Sequence, residues 1–323
     1  MTSRSPLRRT VAAIAAVGAV LLASACAGDD LSSNSASDPS DDASSSASGG
    51  GAVTIASQSF PEAALVTSMY EQILDNAGYD VTTKLVDARD AYMATFPGSV
   101  DIVPEYVGGI VNFLNARENG AKAKPFEAGD GEQLADDGSK LLEQAGITLL
   151  DLSPATDTNA FFVTKEYSES EGVTTLSDLE GKSVVLAAAP DCEGRLDCEG
   201  GLSGDYGIDV TKVLPLGYAT DQTYKAVLDG EAQLGETSTT DGTVDSQGLV
   251  VLDDDQSIQP AQNLVPAVST DFLDAHPDLA DLLDPLMAAL TTEKLTELNA
   301  KVTVDREKTE DVAKEFLDSE GLL

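Results

Sequence analysis

The chain has 323 residues, 42% of them hydrophobic, enough for one large or two medium folded domains. Its 56 acids against 19 bases give a formal net charge of −37, which excludes the basic surface that nucleic-acid binding requires. With no Trp and one His, His276, a histidine-based metal site or a Ser-His-Asp triad has little to work with. No catalytic group, metal or cofactor is therefore expected. His276, inside Asp274-Ala-His-Pro-Asp278, reads as a surface residue at a helix start.

Arg4, Arg8 and Arg9 precede an apolar run from Val11 to Leu22, so residues 1–25 read as a secretory signal peptide. The run is short for a permanent transmembrane helix. Leu22-Ala-Ser-Ala-Cys26 is similar to a bacterial lipobox, with Ala23 where Leu is usual, and lipidation of Cys26 is expected. The alternative is an ordinary cleavage site that leaves Cys26 free. Residues 26–51 are Ser, Asp, Gly and Ala with almost no large apolar side chain, the composition of a flexible tether. The remaining cysteines, Cys192 and Cys198, flank a Gly- and Asp-rich loop, and in an exported chain such a pair reads as a disulfide.

The folded part opens with a strand at Val53–Ser57 and a helix to Asn76, with Ser59 as N-cap and Glu62 at the capping-box spacing. A strand from Tyr79 to Val86 and a helix from Ala88 to Phe96 follow. The run Asp101–Val103 reads as a buried strand stopped by Pro104, delivering Glu105 and Tyr106 to a turn that Gly108-Gly109 opens to close approach. A helix over 131–145 and a strand at Ile147–Leu152 lead to a second run of the same grammar. It holds strands at 160–164, 183–187, 212–216 and 232–235, the last running into Glu236-Thr-Ser-Thr-Thr-Asp-Gly242. Short helices fall at 176–179 (capped by Ser177 or Thr175) and 221–228. Strands at 249–252 and 262–268 and helices near 279–290, 292–300 and 309–317 complete the chain. Strands alternating with helices predict an α/β fold. Polar strand ends in two such units suit a two-lobed, hinged binding protein.

Ser57-Gln-Ser-Phe-Pro-Glu62, Asp101-Ile-Val-Pro-Glu-Tyr-Val-Gly108, Ser177-Asp-Leu179, Thr239-Thr-Asp-Gly242, Leu249-Val-Val-Leu-Asp-Asp-Asp255 and Leu295-Thr-Glu-Leu-Asn-Ala-Lys-Val302 occur in an order that resembles one family. It is that of the substrate-binding lipoproteins of bacterial ABC importers for glycine betaine, choline and carnitine, and the likeness covers about residues 52–318. The resemblance implies a two-lobed, periplasmic-binding-protein-like (venus-flytrap) fold with mixed, mostly parallel sheets. Lobe 1 would hold residues 52–155 plus 262–323, and lobe 2 residues 156–261. It further implies a non-enzymatic, extracytoplasmic and lipid-anchored monomer that traps a small solute for an ABC permease and its ATPase.

In that family a cage of tyrosines holds the cationic head by cation–π attraction. Tyr106 matches one cage position. Elsewhere this chain departs from the pattern, with Asn159 and Ser238 where tyrosines are common and Gln262-Asn263 in place of a Tyr-Gln pair. The expected ligand-binding set is therefore Gln58, Phe60, Glu105, Tyr106, Asn159, Arg195, Ser238, Thr239, Gln262 and Asn263, with Arg195 as a candidate anchor for a carboxylate. Such a set leaves two ligand classes open: a quaternary ammonium solute, or a polyol, sugar-like or aromatic one that satisfies the polar groups. A ligand sensor without transport shares every one of these features. An exported enzyme using Glu105 and Glu236 as paired carboxylates is the remaining alternative.

Overall fold

The computed structural model describes residues 50–120, 122–126 and 129–323. The signal segment, Cys26 and the tether up to residue 49 lie outside them. In chain order the elements are β1 (Ala52–Gln58), α1 (Pro61–Asn76), β2 (Asp80–Val86), α2 (Arg89–Met93), β3 (Ile102–Tyr106), α3 (Val107–Asn119), α4 (Gly131–Ala145) and β4 (Ile147–Leu149). Next come β5 (Asn159–Thr164), α5 (Lys165–Glu171), β6 (Ser183–Ala188), α6 (Glu199–Gly204), β7 (Asp209–Pro215), α7 (Asp221–Leu228), β8 (Leu234–Ser238) and β9 (Leu249–Leu252). The chain ends with β10 (Leu264–Ser269), α8 (Thr270–Ala275), α9 (Leu279–Ala289), α10 (Thr292–Thr303) and α11 (Thr309–Glu320). Among the described residues no helix is long and apolar enough to cross a membrane.

The strands form two five-stranded sheets, ordered β2-β1-β3-β10-β4 and β7-β6-β8-β5-β9. Both are mixed, and evenly so. The β1–β2 and β1–β3 pairings are parallel, and β10 joins β3 and β4 antiparallel. The second sheet repeats this pattern with β6 and β5 in the corresponding roles. The antiparallel half of each sheet is made where a strand from the far side of a crossing enters it.

Alternation along the central strands gives each sheet two buried faces. In the first sheet Val53, Ile55, Ile102 and Leu264 pack under α1, α9, α10 and α11, while Ala56, Val103 and Val265 pack under α2, α3 and α4. In the second, Phe161, Leu186 and Leu234 face one core, and Phe162, Ala187 and the buried side of α7 face another. The C-terminal helices thus return to the lobe that the N-terminal segment begins.

Several local expectations shift. Pro104 does not stop β3 but lies inside it, opposite Pro266 of β10. Two prolines can oppose one another where neither N–H is needed across the ladder, and the β1 pairing of this strand ends at Ile102. Ser59 does not cap α1. Phe60 holds the N-cap position, Pro61 fills the first helical position, and Ser59 Oγ instead donates to Asp87 Oδ1 at 3.4 Å. Thr175, not Ser177, closes the capping box on the turn at 176–179. His276 ends α8 and stacks near Phe272 and Tyr79. The Cys192 and Cys198 sulfurs are bonded, with their Cα atoms 5.3 Å apart.

The chain passes between the sheets twice, through residues 150–158 and 253–263. The two passages run antiparallel side by side. Thr156 bridges Asn263, Asp157 N donates to Gln262 O at 3.1 Å, and Leu264 N donates to Ala155 O at 3.0 Å. We call this paired two-strand connection between the sheets the hinge.

Candidate functional site

A cavity of about 370 Å³ opens beside the hinge. The first lobe supplies Phe60, Pro61 and Glu62 at the start of α1, with Asn299 and Thr303 from α10. Asp157 comes from the hinge. From the second lobe come Tyr218, beyond the end of β7, and Ser238, Thr240, Asp241 and Gly242 at the end of β8. No Lys or Arg is part of this lining.

One hydrogen-bonded chain crosses the site from lobe to lobe. Glu62, 5% exposed, accepts from the Tyr106 hydroxyl on one carboxylate oxygen and from Asn299 Nδ2 at 2.5 Å on the other. The same Nδ2 donates to Thr240 O at 3.0 Å. Thr240 Oγ1 in turn donates to Asp157 Oδ1 at 3.1 Å. Asn299 Oδ1 is buried and has no donor. Gly242 allows the β8 turn to lie on α10, because a Cβ there would come within 2.3 Å of Ala300 N.

The electrostatics are those of acids short of counter-charge. Burial, and then the Glu62 carboxylate, push Asp157 from 3.8 up to about 7, while hydrogen bonds from Thr240 and Ser238 act in the opposite direction. Burial together with Glu62 and Asp157 holds the Tyr106 phenol well above its usual range, so it stays a donor. The Tyr218 phenol is raised too, by desolvation and by Asp157, although the residue as a whole is 42% exposed. Among the described residues neither Glu62 nor Asp157 has a Lys or Arg partner. Asp241 differs. Its carboxylate takes bonds from Thr237 Oγ1, the Tyr224 hydroxyl, and Thr243 N and Oγ1, and so is saturated with donors.

Of the side chains chosen from the sequence, Phe60 and Ser238 line the cavity, and Tyr106 stands one bond behind it through Glu62. The others have different engagements. Gln58 ends β1 opposite Val86. Glu105, 1% exposed, is clamped by Arg89 Nε at 2.7 Å and Nη2 at 3.0 Å and receives the Tyr92 hydroxyl. Asn159 Nδ2 donates to Asp197 Oδ2 at 3.2 Å. Arg195 holds the same Asp197 through two nitrogens and lines a separate cavity of about 460 Å³ with Asn112 and Phe126. Thr239 Oγ1 donates to Thr156 O at 2.7 Å and accepts from Thr158 N at 3.1 Å, which ties the β8 turn to the hinge. Gln262 Oε1 accepts from Gly109 N at 3.0 Å, and Asn263 Nδ2 donates to Ser153 O at 2.9 Å.

Sequence reasoning passed over Glu62, Asp157, Tyr218 and Asn299. Tyr218 carried a usable signal: Leu216-Gly-Tyr218 follows a strand, as Tyr106 does. Asp157 stood beside a selected residue, Asn159. Asn299, on a distant C-terminal helix, offered none.

Residues 51–319 match the family model described as the substrate binding domain of ABC-type glycine betaine transport system. A glycine-betaine-binding protein of Pseudomonas aeruginosa is 29% identical over 284 residues, covering 83% of this chain and 88% of that protein. Glycine betaine-binding protein YehZ of Escherichia coli is 28% identical, covering 83% of this chain and 90% of its own. Its unliganded structure superposes with a TM-score of 0.70 at 27% identity, over 84% of this chain and 99% of that one. A structure titled as a glycine betaine/carnitine/choline ABC transporter gives a TM-score of 0.72 at 22% identity, over 84% of this chain and 98% of that one, a likeness of fold.

Proposed function

The chain belongs to the family of substrate-binding domains of ABC-type glycine betaine transport systems, and from that premise we propose that it captures a quaternary ammonium solute in the cavity between its lobes. The family role is solute binding, not catalysis. The observation that carries the ligand reading is the juxtaposition of aromatic rings with acids that lack a basic partner. Phe60 and Tyr218 share the lining with Glu62 and Asp157, and no basic side chain joins them. N-methyl groups cannot donate hydrogen bonds, so their cation is recognised by ring faces and by carboxylates. The solute would bridge Glu62 of the first lobe and Tyr218 of the second, which favours the closed form that a permease reads.

We read Cys26 as a lipid anchor on a tether, the folded body as an extracytoplasmic monomer, and the permease with its ATPase as its partners. The lobe limits follow the two crossings, with 52–155 plus 262–323 in one lobe and 156–261 in the other. Within the site, Tyr106 is assigned to orient Glu62, and Phe60 and Tyr218 to face the solute.

Thermal-shift and calorimetric titration of the purified chain tests this. Quaternary ammonium solutes should raise the melting midpoint, because a ligand that binds the native state stabilises it, whereas sorbitol and glucose should not. Tyr218→Ala should weaken quaternary ammonium binding about 5- to 30-fold, the value of a desolvated cation–π contact of about 1–2 kcal/mol. Binding of the polyol or sugar with no response to any quaternary ammonium compound would refute the reading.

A further inference from the structure

We infer that the cavity selects a quaternary ammonium alcohol, the chemistry of choline, over a zwitterion that carries its own carboxylate, the chemistry of glycine betaine. This rests on the reading of the cavity as the quaternary ammonium site. The two solutes share the trimethylammonium head and are nearly equal in size, so the shape of the cavity cannot separate them. Their second group can. A betaine carboxylate needs a cation or several N–H donors within reach, whereas an alcohol donates one hydrogen bond.

The walls answer that difference in one direction. The lining holds Glu62, Asp157 and Asp241 and no Lys or Arg. Arg306, the guanidinium nearest in sequence to a lining residue, is exposed and outside the lining, and two further guanidinium groups are committed elsewhere. Arg89 is fixed on Glu105 through Nε and Nη2. Arg195 is fixed on Asp197 and Asp191 and lines a different cavity. A ligand carboxylate here would meet like charge without a counter-ion, an arrangement that suppresses binding.

The neutral polar groups point the same way. Asn299 spends its Nδ2 on Glu62 and on Thr240 O, which leaves Oδ1 as a buried acceptor with no donor. Its residue is 6% exposed and lines the cavity. The Tyr106 hydroxyl is spent on Glu62, and that of Thr240 on Asp157. An alcohol O–H is the donor that Asn299 Oδ1 lacks, and a carboxylate would place one more acceptor beside it. Asp157 is the discriminating group. It sits at the hinge facing Glu62 of α1, Asp241 beyond β8, and the phenols of Tyr106 and Tyr218, with no cation among them.

Calorimetric titration of the purified full-length chain at pH 8 with choline, glycine betaine and tetramethylammonium tests the preference. Choline should bind at least tenfold more tightly than glycine betaine, and any smaller ratio overturns the inference. Tetramethylammonium, which has the head alone, separates the two levels of the argument. If it binds and glycine betaine binds as tightly as choline, the selectivity fails while the cavity remains a quaternary ammonium site. If none of the three binds, the site reading fails with it. Asp157→Asn should reduce the choline-to-betaine ratio to about threefold or less, and an unchanged ratio would remove Asp157 from the role. The wild-type measurement decides the preference on its own, whatever the folding of the variant.

Discussion

Two acidic clusters flank the end of β3, and they differ in one respect. Glu105 is buried with its own cation: Arg89 grips both carboxylate oxygens, and the Tyr92 hydroxyl completes the shell. Burial works against the Arg89 charge, but Glu105 overcomes it and holds the guanidinium above its ordinary range. One residue further along the strand, Tyr106 reaches Glu62, which is buried with donors but, among the described residues, with no cation, and whose neighbour Asp157 is pushed up to about 7 by burial and by Glu62 itself. A buried acid with its counter-ion is complete and structural. One without it is expensive unless a cation arrives from outside. Charge compensation, more than acidity, is therefore the feature on which the proposed solute site rests. In a chain with 56 acids, few other features could carry it.

The comparison predicts its largest effect at the compensated pair. Arg89→Met would strand the Glu105 carboxylate in the core, at a cost of about 3–5 kcal/mol. The readout is urea unfolding at pH 7, and adding Glu105→Gln should restore most of the loss. A single-variant loss below about 1 kcal/mol would show that Glu105 is solvated or neutral, and the contrast would collapse. At the uncompensated pair the order of effects reverses. Glu62→Gln should leave the fold within a few degrees of wild type in melting temperature, since the amide still accepts from Tyr106. Choline affinity should fall about 30- to 150-fold, the order expected when one partner of a desolvated charge pair is lost. A variant destabilised by about 3 kcal/mol or more that, while folded, binds choline with wild-type affinity would invert the assignment of the two clusters.

The elements themselves were legible because alternation and helical periodicity are local. The β1–α1–β2 unit, the turn at 176–179 and the C-terminal helices lie near the places that pattern and punctuation gave them. The boundaries that slipped are those set by neighbours in the sheet. A strand expected at 232–235 runs from Leu234 to Ser238, because β6 and β5 pair with it on both sides and Tyr224 and Asp241 satisfy Thr237. The site was harder to see for the same reason. Arg89 and Tyr92 are three residues apart on α2 and so share a face, yet nothing local says that this face meets Glu105. Asn299 meets Glu62 across a sequence separation of 237. Tyr106 was identified correctly as a strand-end aromatic, but its partner could be found only by bringing α1 to β3.

The smallest predicted effect is the most specific to the uncompensated cluster, because its sign changes with pH. Asp157 is raised from 3.8 to about 7 in the folded chain, so between those values the unfolded chain has lost a proton that the folded chain still holds. Folding therefore loses stability as pH rises from about 4 to 7, and the loss is complete above that range. Asp157→Asn removes the ionisation and keeps an oxygen for Thr240. In the absence of solute the variant should melt about 2–4 °C above wild type at pH 8, and no higher than wild type at pH 4. Saturating choline should abolish or reverse the advantage at pH 8, since the cation supplies to Asp157 what Arg89 supplies to Glu105. Scanning calorimetry at the two pH values, with and without choline, reads all four conditions. An advantage for the variant that is equal at both pH values and indifferent to choline would mean that Asp157 is merely a poorly packed side chain, and that its charge has no part in holding the solute.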